Sequence, residues 1–174
     1  MNSTFLIAFV ICLAGYIFHT MTHVGEHKGY KFAKSKALGT ILTITIFIGY
    51  AGWGVMISSD PIKMKISNSV ATPLGLFIGL TGCVMLILSA IAKKGFEELD
   101  HIVTRGIYSK IRNPMYLGLI LVHIGFPLAA KRLLTLVSAI IWIPLILIWK
   151  YMEEQDLEKK FGAEYSEYKR RTLF

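Results

Sequence analysis

Arg112 opens the run Arg112-Asn113-Pro114-Met115-Tyr116, an apolar stretch follows, and polar sequence resumes at Glu153-Glu154. Together these residues supply a permanent cation, an amide, a phenol and two adjacent carboxylates, the groups that hold a charged, amino-bearing ligand. If residues 115–130 cross a bilayer and residues 133–149 cross back, the two clusters return to the same face. Charge placed this close to hydrocarbon is costly, and it marks a site.

The elements that must position these residues follow from composition. Hydrophobic residues make up 54% of 174 positions and charged residues 17%, too apolar a balance for a soluble domain of this size. Apolar stretches cover residues 4–18, 37–57, 73–92, 115–130 and 133–149. The second and third have the roughly 20 residues that a bilayer core demands, and the shorter ones imply tilt, local thinning or a half-buried hairpin. No Lys or Arg precedes the first stretch and no clear small-residue cleavage site follows it, so it is expected to be a retained helix rather than a signal peptide. The expected fold is all-α: one integral membrane domain, residues 1–174, with five transmembrane helices. The last two form a helical hairpin, and a cytosolic C-terminal amphipathic helix follows.

Of the 19 basic residues, only Lys63, Lys65, Lys131 and Arg132 fall on one side of these spans. Fifteen fall on the other side, between helices one and two, between helices three and four, and in the tail. The positive-inside rule then places the N-terminus outside, and the C-terminus and both polar clusters in the cytosol. The net charge of +8 describes loops beside anionic headgroups and carries no nucleic-acid meaning. Cys12 and Cys83 lie inside apolar stretches without CxxC spacing and read as small hydrophobes. His19, His23 and His27 recur every four residues beside Glu26, yet Gly25 and Gly29 weaken a helix there. They read as a polar edge, and no metal is expected. Gly75, Gly79 and Gly82, and the group Gly49, Gly52 and Gly54, suit close helix approach. They lack the strand and the spacing of a dinucleotide fingerprint.

Two segments remain for chemistry. The loop from Lys93 to Tyr116 carries aromatics, a glycine and the Arg-Asn-Pro cluster. Pro114 suits the first position of a helix, whose free amides favour a nearby anion. In the tail, Leu157, Phe161, Tyr165 and Tyr168 recur at spacings of four, four and three, the pattern of one amphipathic helix begun by Glu153 and Glu154.

At these residues the chain resembles the integral membrane methyltransferases typified by isoprenylcysteine carboxyl methyltransferase and the phospholipid N-methyltransferases. Their pattern is R-H-P-x-Y, an apolar hairpin, Glu-Glu, and a Phe-Gly-x-x-Tyr-x-x-Tyr tail. Here it reads Arg112-Asn113-Pro114-Met115-Tyr116, Glu153-Glu154, and Phe161-Gly162 through Tyr165 to Tyr168. The resemblance covers residues 93–174, the expected cofactor-binding catalytic part, and leaves 1–92 as a three-helix scaffold. It implies S-adenosyl-L-methionine as cofactor, with contacts at Asp100, His101, Ile102, Val103, Tyr108, Asn113, Pro114, Met115, Tyr116 and Glu153. It also implies a catalytic centre of Arg112, Tyr116, Glu153 and Glu154, and a lipid or lipidated acceptor arriving from the bilayer. Two positions depart from the pattern. Asn113 replaces the usual His, keeping a hydrogen-bonding group without a titratable one. Trp149 stands where the prenylcysteine enzymes place a substrate-binding Arg, so an acceptor without a free carboxylate is expected there. A sterol-reductase-like NADPH enzyme and a non-enzymatic membrane protein are the alternative classes.

Overall fold

The structure, a computed structural model, describes residues 2–30, 36–93 and 101–174. Its helices are α1 (Ser3–His27), α2 (Lys36–Ser59), α3 (Asn68–Lys93), α4 (Pro114–Ala129), α5 (Leu133–Val137), α6 (Ala139–Phe161) and α7 (Ala163–Arg171), with a 3-10 turn at Gly106–Ser109. Among the described residues there is no strand, only the isolated bridges Lys63 to Arg132 and Ile111 to Leu173. The Asn2 side chain accepts from the Thr4 amide and caps α1. At the other end α1 continues through Gly25 to His27 before Gly29 turns the chain at φ +78°, so Gly25 does not interrupt the helix as the sequence suggested.

Among the described residues, four stretches are long and apolar enough to cross a membrane: Ser3–His27, Leu38–Ser59, Asn68–Lys93 and Leu133–Phe161. The 16 residues of α4 reach only about 24 Å, short of a bilayer core of ~30 Å. The chain is an integral membrane protein of four full-length apolar spans and one short apolar helix.

Glycine sets the helix pairing. Antiparallel α3 and α4 meet so closely that a Cβ on Gly75 would overlap the Ala129 backbone, and one on Gly82 would lie 2.7 Å from the Gly118 carbonyl oxygen. Gly79 lies against the Phe126 ring. In the α1–α2 pair, Gly52 faces the Ala8 carbonyl and Gly15 faces Gly49, whereas Gly54 meets nothing. The last two spans meet where Tyr116 donates to Glu153 and Asn113 to Glu154. The closest partner of α4 is α3, because the small residues of both line that seam, while α6 crosses to α1 and α4 with large side chains.

α6 runs parallel to α1. Phe9 packs on Trp142 with centroids 5.6 Å apart, Trp149 Nε1 donates to Thr20 Oγ1 at 2.8 Å, and His27 Nδ1–H donates to Asp156 at 2.8 Å. Fully buried His123 ties α4 to α1. Its Nδ1 faces the Leu119 carbonyl at 2.8 Å, which can only accept, so Nε2 accepts from the Tyr16 hydroxyl at 2.7 Å. At the other end Asp60 accepts from the Ile62 amide, the Thr135 amide and the Thr135 hydroxyl, fastening the α2–α3 loop to α5.

Two expectations about the tail are corrected. Glu153 and Glu154 do not begin a helix; they lie well inside α6, which continues unbroken from Ala139, so the dipole of a helix start does not act on them. The tail is also not one helix. Gly162, at φ +54° and ψ −122°, ends α6 and redirects the chain into α7, leaving Leu157 and Phe161 on one helix and Tyr165 and Tyr168 on the next.

Candidate active site

The two adjacent glutamates point to different neighbours. Glu154 is a tenth exposed, and three donors converge on its Oε1: Arg112 Nε at 2.6 Å, Asn113 Nδ2 at 2.5 Å and Lys150 Nζ at 3.2 Å. Glu153 is 31% exposed; its Oε2 accepts from the Tyr116 hydroxyl at 2.6 Å and its Oε1 from Lys93 Nζ at 3.2 Å. One oxygen of Glu154 is thus occupied by its own chain, and Glu153 retains solvent-facing capacity.

Local structure explains how these groups assemble. Pro114 occupies the first turn of α4, where its lack of an N–H costs nothing. Asn113, the N-cap residue, makes no side-chain cap; its amide turns instead to Glu154 and to the Phe174 carbonyl at 2.9 Å. Arg112 is held from both sides. Its amide donates to the Leu173 carbonyl at 2.8 Å, and its guanidinium reaches the Lys169 and Thr172 carbonyls. Lys150 lies 4.8 Å above the Phe174 ring. Residues 172–174 therefore close over the Arg112-Asn113 cluster.

Tyr108 sits in the 3-10 turn, buried, with Lys93 Nζ 5.7 Å from its ring centroid and its carbonyl accepting from the Tyr168 hydroxyl at 2.8 Å. Burial pushes the Tyr108 hydroxyl up from its ordinary value, with the Lys93 charge opposing. Burial likewise raises Tyr168, to about 12. Both phenols are neutral at physiological pH, and Tyr168 acts as a donor. Arg105 caps the C-terminal end of α3, its Nε and one terminal nitrogen each 3.1 Å from the Ala92 carbonyl.

His101, Ile102 and Val103, with Thr104 and Arg105, line a cavity of about 120 Å³. That volume falls below the several hundred Å³ of an ordinary small-molecule site. Asp100 lies outside the described residues, as do Lys31, Lys34 and Lys94. Pro114, Tyr116 and Asn113 are buried beside the glutamates, and Met115 is half-buried. Trp149 is brought not to the Arg112 cluster but to α1. It stacks on Tyr16 at 5.2 Å, meets the His19 ring edge-on at 4.5 Å and is 6% exposed.

Three contributors escaped the sequence reading. Lys93 pairs with Glu153, and its signal was its place as the cation ending an apolar helix. Lys150 reaches Glu154 through the i,i+4 spacing of the two residues. The His19–His23 pair reaches this end of α6 because α1 lies parallel to it, which no local spacing reveals.

A family model for phospholipid methyltransferases matches residues 69–164. Protein-S-isoprenylcysteine O-methyltransferase of Saccharomyces cerevisiae is 32% identical over 128 residues, 61% of this chain and 50% of that protein. The chain thus spans about half the length of this curated relative. No solved structure matches.

Proposed function

The chain belongs to the phospholipid methyltransferase family, and from that premise we propose that it transfers a methyl group from S-adenosyl-L-methionine to a lipid-like acceptor drawn from the bilayer. The observation that carries this reading is the Glu153 carboxylate, partly exposed, oriented by the Tyr116 hydroxyl and flanked by the Lys93 ammonium. Its chemistry fits the cofactor's amino-acid end, which offers an ammonium to a carboxylate and a carboxylate to a lysine. When bound, the cofactor supplies a methyl group on a sulfonium, a donor already activated.

The chain's own residues then have three tasks. Glu153 and Tyr116 fix the ligand's ammonium. The rings of Tyr108 and Tyr116 provide electron-rich faces for a cationic ligand. Asp100 to Val103, Asn113, Pro114 and Met115 flank the same ligand, while the Arg112–Glu154 pair holds the α4 start against α6. Alignment and exclusion of water account for the catalysis, and no nucleophilic side chain is needed.

Residues 1–92 form the scaffold and 93–174 the catalytic part, with α4 completing a fifth crossing beside α6 where the bilayer thins. The N-terminus lies outside, and the site faces the cytosol. The acceptor side differs from a carboxylate-binding one, since Trp149 packs between Tyr16 and the histidines of α1 and offers no cation. A phospholipid amine matches this better than a prenylcysteine carboxylate.

Calorimetry in detergent with S-adenosylmethionine and with NADPH tests the cofactor. Saturable binding of the first and none of the second is expected; binding of NADPH alone moves the chain to the reductase class. Radiolabelled methyl transfer tests the acceptor, with an amine lipid expected to be methylated well and a farnesylcysteine analogue poorly.

A further inference from the structure

Methylation of an amine headgroup needs something that methylation of a carboxylate does not. The headgroup is an ammonium near neutral pH and must lose a proton before its nitrogen has a lone pair. The carboxylates described so far have other tasks: Glu154 Oε1 takes three donors of its own chain, and Glu153 is assigned to the cofactor's ammonium.

On the α1 side of Glu153, the structure holds a pair of imidazoles. His19 Nε2 and His23 Nε2 are 3.0 Å apart, so one ring donates its proton to the other. His19 Nδ1 is buried with no hydrogen-bond partner among the described residues. The His23 side chain is 28% exposed, with Nδ1 3.8 Å from Glu26 Oε2. Trp149, Glu153 and Asp156 share one face of α6 at spacings of four and three. Trp149 stacks on His23 at 6.0 Å and Asp156 holds His27, which sets Glu153 beside His23.

We propose that His23, with His19 as its proton relay, is the catalytic base that deprotonates an amine-headgroup acceptor. The inference rests on the reading given under Proposed function and extends it to the acceptor. In the step, an acceptor N–H bond breaks and its proton passes to the free imidazole nitrogen of the pair. The freed lone pair forms the new N–C bond while the methyl–sulfur bond breaks, and sulfur keeps that electron pair. The groups facing His23 are His19, Glu26 and His27 on α1, and Glu153 and Asp156 on α6, the latter also 3.6 Å from Lys159. The carboxylates stabilise the imidazolium once it forms.

The test uses the full chain in vesicles of phosphatidylethanolamine, with radiolabelled S-adenosylmethionine and a pH series. The base must be neutral to act, so the rate should fall as pH drops and the imidazole pair takes up a proton. His23→Gln should lose about 100-fold in rate and lose that inflection, keeping only the one from the amine itself at higher pH. Added imidazole should restore part of the rate. Calorimetric affinity for S-adenosylmethionine should be unchanged, which also shows that the variant is folded. Without turnover, ¹⁵N-histidine NMR should show the His23 resonance shifting in phosphatidylethanolamine vesicles but not in phosphatidylcholine ones. A His23→Gln protein with unaltered rate and pH profile overturns the proposal. So does an unmodified protein lacking the histidine inflection, and this decides the matter even if the variant misfolds. Methylation of farnesylcysteine but not of the amine lipid overturns the base and leaves the methyltransferase reading standing. Absence of S-adenosylmethionine binding overturns both.

Discussion

Glu153 and Glu154 test how much a one-residue step on a helix matters. Glu154 neutralises Arg112 in a nearly buried setting, so Glu154→Ala strands that cation and should cost roughly 3 kcal/mol of stability. A lowered denaturation temperature, regained on restoring the carboxylate, checks it. Glu153→Ala should leave the melting temperature nearly unchanged but weaken S-adenosylmethionine binding by roughly 2–4 kcal/mol, since a ligand ammonium would lose its counter-charge in a partly desolvated place. Calorimetry on a folded Glu153→Ala protein decides it, and unchanged affinity would remove Glu153 from the site. The residue types of this cluster were legible in the sequence, because Arg, Asn, Tyr and Glu beside apolar runs have few bland uses. Their division of labour was not. It depends on the rotation of α6, which turns Glu154 toward Arg112 and Glu153 toward Lys93.

For the elements, the glycine seam of α3 and α4 is the most demanding contact. Gly125 has Gly79 against it, with no room for a Cβ, and the obstructing atoms are backbone that cannot rotate away. Gly125→Ala should therefore push the helices apart and lower thermal stability steeply, whereas Gly39→Ala, which meets nothing within 4 Å, should be neutral or slightly stabilising. Parallel thermal denaturation of the two variants in one detergent compares them directly. The sequence reading named Gly75, Gly79 and Gly82 as packing residues, and their spacing sufficed for that. It did not show that α4 answers with Gly118 and Gly125, nor that α6 runs on past Trp149 through both glutamates. Apolar periodicity ends where membrane ends; backbone hydrogen bonding does not, and a helix continues into water with polar residues until Gly162 stops it.

At the scale of the whole molecule, orientation in the bilayer carries the sharpest expectation. A membrane-impermeant thiol reagent should label cysteines placed at Ser3 and Ser59 from outside and fail at Ser109 and Ser166, on an otherwise cysteine-free background. Labelling of Ser109→Cys from outside would reverse the topology and part the site from a cytosolic cofactor supply. The helix order has one more consequence, for how the chain is made. The tight pairs, α1 with α2 and α3 with α4, are neighbours in sequence and can close as each emerges. The first helix nevertheless takes its second partner from the last span, through Trp149 to Thr20 and Asp156 to His27, and Asp60 waits for Thr135. Biogenesis then runs as two hairpins followed by one late stitch, and the connection between the hairpins is dispensable once both have inserted. Residues 1–65 and 66–174, co-expressed as separate chains, should reassemble in the membrane and recover methyl transfer, whereas a chain ending at residue 132 should keep its hairpins and never join them.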